Sequence, residues 1–422
     1  MDSTVLQEVI EDQQRAIRAA EINPRDVAFD PAANYVLVGM RRAGKSTLLY
    51  SRARDLVAQG VDWSQIIYIN FEDERLLGFD VSDFNDIVIL AHQITDKEPI
   101  YFFDEIQNIP GWEKFVRRLA DSKQRVYVTG SNAKMLSRDV ATTLGGRYLI
   151  LHVDPYNFQE FLRARDMDVP TGVMASAQRG EVRAALAEYY QYGGFPEAVE
   201  LTAKREYVES VYQKVLLSDI AARHNVRSVN ALRLMMMKLS EVIGRPLSTN
   251  TLASQLSAAG AKTSKDTVAT YLDHVQDAFM VFRLTNEYSK FAERESVPKY
   301  YFADNGLVGL FRGVTDSALL ENLVAVTLRQ RYGEELHFAQ SQKTDVDVDF
   351  VVEPENLAVQ VAYSVQGPAR EREVNALIRL QQNSPRTNWT MMIVTYEERE
   401  TIETEAGTIQ VVPLEDFLLN IV

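Results

Sequence analysis

Residues 35–50 read YVLVGMRRAGKSTLLY: an apolar strand pattern, a glycine-bounded loop, then a helix pattern. Within this stretch GMRRAGKST, residues 39–47, matches the spacing G-x-x-x-x-G-K-[ST]. Each residue type has a physical task. Gly39 and Gly44 let the backbone bend so that the N–H groups of the loop, from Met40, Arg41, Arg42 and Ala43 onward, face an anion. Lys45 brings a cation to the β and γ phosphates, and the hydroxyl of Ser46, followed by Thr47, can join a Mg²⁺ shell. The helix that follows adds its positive N-terminal end. ATP and Mg²⁺ are therefore the expected ligands.

Outward from this loop, short apolar runs alternate with helical patterns. Strands are expected at Tyr35–Val38, Gln65–Asn70, Ile100–Phe103, Arg125–Thr129 and Tyr148–Val153, with helices at Lys45–Gln59, Asp83–Ile94 and Trp112–Asp121. Such alternation implies an α/β fold with a parallel sheet covered on both faces. The third strand, IYFFDE at 100–105, ends in two carboxylates. Asp104 is assigned to the metal and Glu105 to the attacking water. The fourth, VYVTGSN at 126–132, ends in small polar residues, so Asn132 or Ser131 can hydrogen-bond the γ phosphate or the water. A turn or helix cap is the alternative for both. Asn70 ends the second strand, where it either restrains Glu105 or forms a turn. Arg147, in LGGRYLI at 144–150, precedes the fifth strand. It is either a solvated charge or an arginine finger offered to a neighbouring subunit.

Composition narrows the remaining possibilities. The chain has 422 residues, 46% of them hydrophobic, and no cysteine. Disulfides, thiolate metal sites and cysteine nucleophiles are excluded, and a reducing cytoplasm is the expected compartment. The first fourteen residues, MDSTVLQEVIEDQQ, lack the build of a signal peptide, and no apolar run approaches a membrane span, so no membrane partner is expected. Net charge is −14. It is unevenly spread: residues 226–300 carry 10 basic and 7 acidic side chains, whereas residues 301–422 carry 9 and 19. Only the middle segment is positive enough to meet a nucleic acid.

The motifs GMRRAGKST, YFFDE, VYVTGSN and LGGR, in that order, resemble the archaeal-type AAA+ ATPases. YGGFPEAV at 192–199, KYYFADNGL at 299–307, ENLV at 321–324 and DVDFVV at 347–352 extend the likeness to prokaryotic ATPases that fuse this core to a C-terminal domain of unknown function. The resemblance implies a sheet of order 5-1-4-3-2. It also implies that Gly194-Phe195-Pro196 is the G-x-P element that approaches adenine, with Pro196 as the contact; a helix-ending turn is the alternative. No lid arginine of the sensor-2 kind stands out.

Farther along, residues 247–283 carry capping serines at 248 and 264, and strands are expected at Met280–Asn286 and Tyr300–Phe302. This pattern looks like a winged helix, with Lys262, Lys265, Thr267 and Thr270 as exposed candidates for DNA or, alternatively, a packing module. Residues 317–422 read as helix, three strands, helix, strand and a short end segment. The order Glu321, Asp349, Gln360 resembles the PD-(D/E)XK nuclease core, but Ala362 stands where that core has lysine. An inactive relative used for partner binding is expected. Asp345, Asp347 and Asp349 sit at period two, as a metal-gathering face or as a solvated one.

The expected organisation is an AAA+ P-loop core at 1–155, a helical lid at 156–225, a winged-helix-like domain at 226–303 and a nuclease-like α/β domain at 304–422. The expected activity is Mg²⁺-dependent ATP hydrolysis by a homo-oligomeric ring, hexameric in one version. Lys45, Glu105, Asn132 and Arg147 are the catalytic candidates. DNA through the winged helix and a protein through the C-terminal domain are the candidate partners. An ATP-gated DNA enzyme and a slow nucleotide switch are the rival readings.

Overall fold

The computed structural model describes residues 1–420 except 132–134, 136–137, 171, 173–174, 289–296 and 385–387. It contains two compact units: Met1–Asp154 with Asp277–Phe279, and Pro155–Gln276 with Met280–Val422.

The first unit opens with α1 (Ser3–Ala19), an element for which the sequence carried no expectation; Asp2 caps it by accepting from the Thr4 N–H. Leu6, Val9, Ile10 and Ile17 recur at helical spacing and are buried. There follow β1 (Asn34–Val38), α2 (Lys45–Ala58), β2 (Ile66–Asn70), α3 (Phe84–Ile94), β3 (Ile100–Asp104), α4 (Trp112–Asp121), β4 (Arg125–Gly130), α5 (Arg138–Leu144) and β5 (Tyr148–His152). The strands form one parallel sheet in the order β2-β3-β4-β1-β5, the order implied by the family resemblance.

Alternation along each strand divides the core. Val36, Val38, Ile67, Ile69, Tyr101, Phe103, Val126 and Val128 face one hydrophobic cluster, completed by apolar residues of α1, α3 and α4. Tyr35, Leu37, Ile66, Tyr68, Ile100, Phe102 and Tyr127 face a second, completed by Leu48, Leu49, Ala53 and Leu56 of α2. A sheet buried on both sides is why its strands read as unbroken apolar runs. Edge strand β5 departs from this, with Leu149 and Ile150 about half exposed.

The second unit begins with α6 (Phe158–Arg163), α7 (Ser176–Tyr192) and α8 (Lys204–Lys214), the last continuing as a π-helical stretch at Val215–Ala222. Next come α9 (Val229–Glu241), α10 (Thr249–Ala258), α11 (Lys265–Asp277) and an antiparallel pair, β6 (Val281–Leu284) with β7 (Lys299–Phe302). Ser248 and Ser264 accept from the N–H groups of Thr251 and Thr267, as their positions before α10 and α11 imply.

After the single-turn α12 (Asn305–Val308) and α13 (Asp316–Tyr332) lies a six-stranded mixed sheet. It comprises β8 (Leu336–Ser341), β9 (Val346–Val352), β10 (Leu357–Val361), β11 (Thr390–Thr395), β12 (Glu400–Thr404) and β13 (Gly407–Pro413), ordered β12-β13-β11-β10-β9-β8. Helices α14 (Pro368–Asn383) and α15 (Leu414–Asn420) complete the unit. The expected single strand and short end segment are thus corrected to three strands and a helix. Edge strand β12 reads ETIET and has no buried residue, so it lacks the apolar run by which a strand is recognised.

Candidate nucleotide-binding site

The loop 39–44 leaves the C-terminal end of β1. The Val153 N–H donates to the Val38 carbonyl at 2.7 Å, holding the strand just past β5 against the loop's entry. A Cβ on Gly39 would lie 2.1 Å from the Val153 carbonyl oxygen, so no other residue fits there. Arg42 and Gly44 have φ values of 66° and 96°, left-handed turns of the kind that build anion-binding nests. Met40 and Ala43 are buried and anchor the loop in the unit's interior. Arg41 extends to Glu72 at 2.9 Å.

Lys45 is the first residue of α2 and is 4% exposed. Its ammonium donates to the Gly39 and Met40 carbonyls at 3.0 Å each, folding the cation over the loop. Ser46 and Thr47, half-buried, follow in the first turn. A second clamp had no sequence signal: the Arg25 guanidinium donates to the Ala43 carbonyl at 3.1 Å and to the Asp154 carbonyl at 2.9 Å. It lies in an irregular segment with no motif to mark it.

Register brings the acids to the same edge. Val38 pairs with Gly130 and Asn70 with Asp104, so the loop, Thr129, Ser131, Asp104 and Glu105 all gather at the C-terminal ends of neighbouring parallel strands. In open α/β sheets this edge is where ligands bind. Asp104 is 1% exposed. It accepts from the Tyr68 hydroxyl at 2.8 Å and from the Thr129 hydroxyl, which fix the carboxylate from the strands on either side.

Glu105 takes a left-handed φ of 51°, a conformation that costs a non-glycine residue about 1 kcal/mol or more. Its N–H donates to Thr129 Oγ1 at 2.9 Å. Its carboxylate accepts from the Gln107 amide and, at 3.2 Å, from the Ser131 hydroxyl. Burial pushes the Glu105 pKa above the usual range, opposed by the nearby Lys45 ammonium. Gln107 and Ser131 therefore hold Glu105, the task considered for Asn70. Asn70 itself accepts from the Glu72 N–H at 2.9 Å and makes a turn, because its short side chain reaches backbone two residues on. Asn132 lies outside the described residues.

Residues 32–162 match the family described as AAA domain, and residues 183–318 match a domain of unknown function. An uncharacterized protein of Methanocaldococcus jannaschii is 30% identical, over 98% of this chain and 95% of its own length. The chain belongs to this AAA-domain family. An uncharacterized protein of Haemophilus influenzae is 31% identical, over 91% of this chain and 94% of its own. Among solved structures, the Walker-type ATPase PABY2304 of Pyrococcus abyssi aligns with a TM-score of 0.41 at 14% identity, covering 70% of this chain and 99% of that one. The Aeropyrum pernix ORC1 protein, solved in complex with DNA, aligns with a TM-score of 0.30 at 17% identity, covering 76% and 93%.

Within the AAA unit, Arg147 stands apart from the phosphate loop. Tyr148 pairs with Asn34, at the start of β1, while the loop follows Val38 at its end. About 13 Å of strand separates the two levels. Arg147 donates to the Asp121 carboxylate and to the Gly145 carbonyl at 3.3 Å. Pro196 is placed in the second unit, half-buried, as the first residue of the 3₁₀ turn Pro196–Ala198.

The second unit holds its own cluster of acids, lining a cavity of about 630 Å³. Lys299, on β7 and 2% exposed, pairs with Asp349 at 3.2 Å and Glu321 at 3.9 Å. Asp349 also accepts from the Val361 N–H at 3.0 Å, while Gln360 accepts from the Asp349 N–H and donates to Glu373. Asp347 and Asp349 share one face of β9, but Asp345 lies in the preceding turn at φ 52° and pairs with Arg379, so the three do not form a single face. Among the described residues no group of three or more His, Asp or Glu side chains is arranged to hold a metal ion. Ala362 is buried, as a residue with no cation to offer. No described helix is long and apolar enough to cross a membrane.

Proposed function

We propose that the chain is a Mg²⁺-dependent ATPase acting as a homo-oligomeric ring in the cytoplasm. The observation that carries this reading is the meeting of Lys45, Asp104 and Glu105 at one edge of the parallel sheet. The donor set suits the ligands: backbone N–H groups and an ammonium for phosphate, hard oxygens of Ser46 and Asp104 for Mg²⁺. Held by Ser46 and Asp104, Mg²⁺ would supply positive charge to the phosphates. Residues 39–44 and Thr47 cradle the phosphates. Lys45 exchanges the Gly39 and Met40 carbonyls for phosphate oxygens. Glu105, released from Gln107 and Ser131, takes a proton from the attacking water. Asn132 orients that water.

Arg147 sits at the sheet end opposite its own loop, which suits action on the γ phosphate of an adjoining subunit. Because such a contact is head-to-tail, it must close into a ring or run on. Mixing Arg147→Ala subunits with subunits carrying Glu105→Gln tests this. Activity is expected to reappear at the interfaces where an intact arginine meets an intact glutamate; flat, additive activity would remove the finger assignment.

Nucleotide state then repositions the winged-helix-like segment and the C-terminal sheet. DNA is proposed to meet the first and a protein partner the second. The C-terminal domain is proposed to be inactive as a nuclease, since Lys299 already neutralises part of the acid cluster. Incubation with Mg²⁺ or Mn²⁺ and mixed DNA should give no cleavage; cleavage lost in Asp349→Ala would reverse this.

A further inference from the structure

Helix α11 ends in a left-handed turn, and the residue that makes the turn is Phe279, with φ 55°. The Met280 N–H donates back to the Val275 carbonyl at 3.0 Å, the bond that closes such a helix end. Glycine is the usual occupant of this position, because a Cβ is crowded in the left-handed region. A phenylalanine makes the end harder to form, so local backbone preference does not account for it. Its ring has a use elsewhere. Asp277–Phe279 belongs to the AAA unit, and Phe279 packs, partly buried, against the cluster that the sheet forms with α1, α3 and α4. The ring meets that of His152 edge-on, with centroids 6.2 Å apart and planes at 80°.

His152 is the last residue of β5, and the two residues after it are fastened to the phosphate loop at three points. The Val153 N–H donates to the Val38 carbonyl at 2.7 Å. The Val153 carbonyl oxygen lies so near Gly39 that a Cβ there would stand 2.1 Å away. Arg25 joins the Ala43 and Asp154 carbonyls, at 3.1 Å and 2.9 Å. Asp154 is also where the chain leaves the AAA unit, and Asp277–Phe279 is where it returns.

Withdrawing the ring would free His152 and, through the three fastenings, slacken residues 39–44, since packed interiors with few voids pass such shifts on. A nucleotide that orders the loop must in turn favour the seated ring, because coupling between two sites is reciprocal.

We propose that Phe279 is a positioning residue of the phosphate loop: its seat on His152 keeps the loop entry in shape for phosphates, and occupancy of the loop keeps the ring in its seat. This rests on the ATP-binding reading of the loop given above. The full-length chain is compared as wild type, Phe279→Gly, Phe279→Leu and Lys45→Ala. The readouts are amide exchange, with and without a non-hydrolysable ATP analogue and Mg²⁺, and fluorescent-ATP titration. Phe279→Gly removes the ring while relieving the left-handed turn, so the helix end is kept. Without nucleotide it should speed exchange across residues 39–44 and 153–154 by about tenfold or more. Its ATP dissociation constant should rise by about fivefold or more. Phe279→Leu, which refills much of the seat, should fall between and carries the test if the glycine variant does not fold. The analogue should slow exchange across residues 278–280 in wild type and not in Lys45→Ala. Unchanged loop exchange in Phe279→Gly overturns the proposal, as does faster exchange spread evenly over the AAA unit, the sign of a general loss of packing. Affinity that falls in Lys45→Ala but holds in both Phe279 variants overturns it and leaves the ATP reading intact. A wild-type chain that binds no nucleotide ends both.

Discussion

Lys45→Ala is expected to lower ATP affinity by about 100-fold or more, with hydrolysis falling to background. The loop motif assigns this ammonium to the phosphates, and hydrogen bonds between charged partners contribute about 1.5–3 kcal/mol each. Truncation removes at least two of these at once. The geometry adds a second effect. Lys45 donates to the Gly39 and Met40 carbonyls, so its loss leaves both without that partner and lets the loop entry relax. The loop entry is nonetheless held by the Val153–Val38 hydrogen bond and Ala43 by Arg25, so the fold should persist. Fluorescent-nucleotide titration with a thermal melt as control checks this. Wild-type affinity in Lys45→Ala would remove the loop from the site.

How much of this was legible beforehand follows from where the information resides. The phosphate loop is contiguous, and its loop, strand and helix carry mutually reinforcing local signals. The acids Asp104 and Glu105 terminate an apolar run, so their place at the sheet's C-terminal edge is legible in the sequence. The groups that tune them are not. Tyr68 and Thr129 reach Asp104 only once strand register is known. Gln107 is a lone polar residue past a strand end, and Arg25 belongs to a segment with no periodicity. Both act through side-chain hydrogen bonds that leave no pattern in composition.

The second unit shows the same division more sharply. Strands β10 and β11 carry apolar runs, whereas β9 alternates with Asp347 and Asp349 and edge strand β12 has no buried residue. Asp304 accepts from the Gly194 N–H, and each stands in a recognisable motif, yet nothing local indicates that the two motifs touch. Such pairings are a property of chain topology. Charge gave an intermediate kind of information. The acidic C-terminal segment is real, but Lys299, contributed from outside it, partly neutralises its innermost cluster.

Glu105→Gln is expected to bind ATP as wild type does and to hydrolyse it about 100-fold to 10,000-fold more slowly, the usual contribution of a general base. The substitution keeps the shape and lets Ser131 and Gln107 still donate to the side-chain oxygen, so the left-handed turn at 105 is preserved. What it removes is the ability to accept a proton. The pH profile separates this from a packing effect. Burial raises the Glu105 pKa, so the acid limb of the wild-type rate should lie above the ordinary glutamate range, with activity lost as pH falls through it. The residual activity of Glu105→Gln should lack that limb. Stability should move in the opposite direction to activity. A carboxylate whose folded pKa is raised binds its proton more tightly in the native state, so its contribution is favourable at low pH and declines as pH rises. At neutral pH Glu105→Gln should therefore melt at a higher temperature than wild type. A variant that is inactive and also less stable at neutral pH would show that Glu105 holds the turn rather than takes the proton.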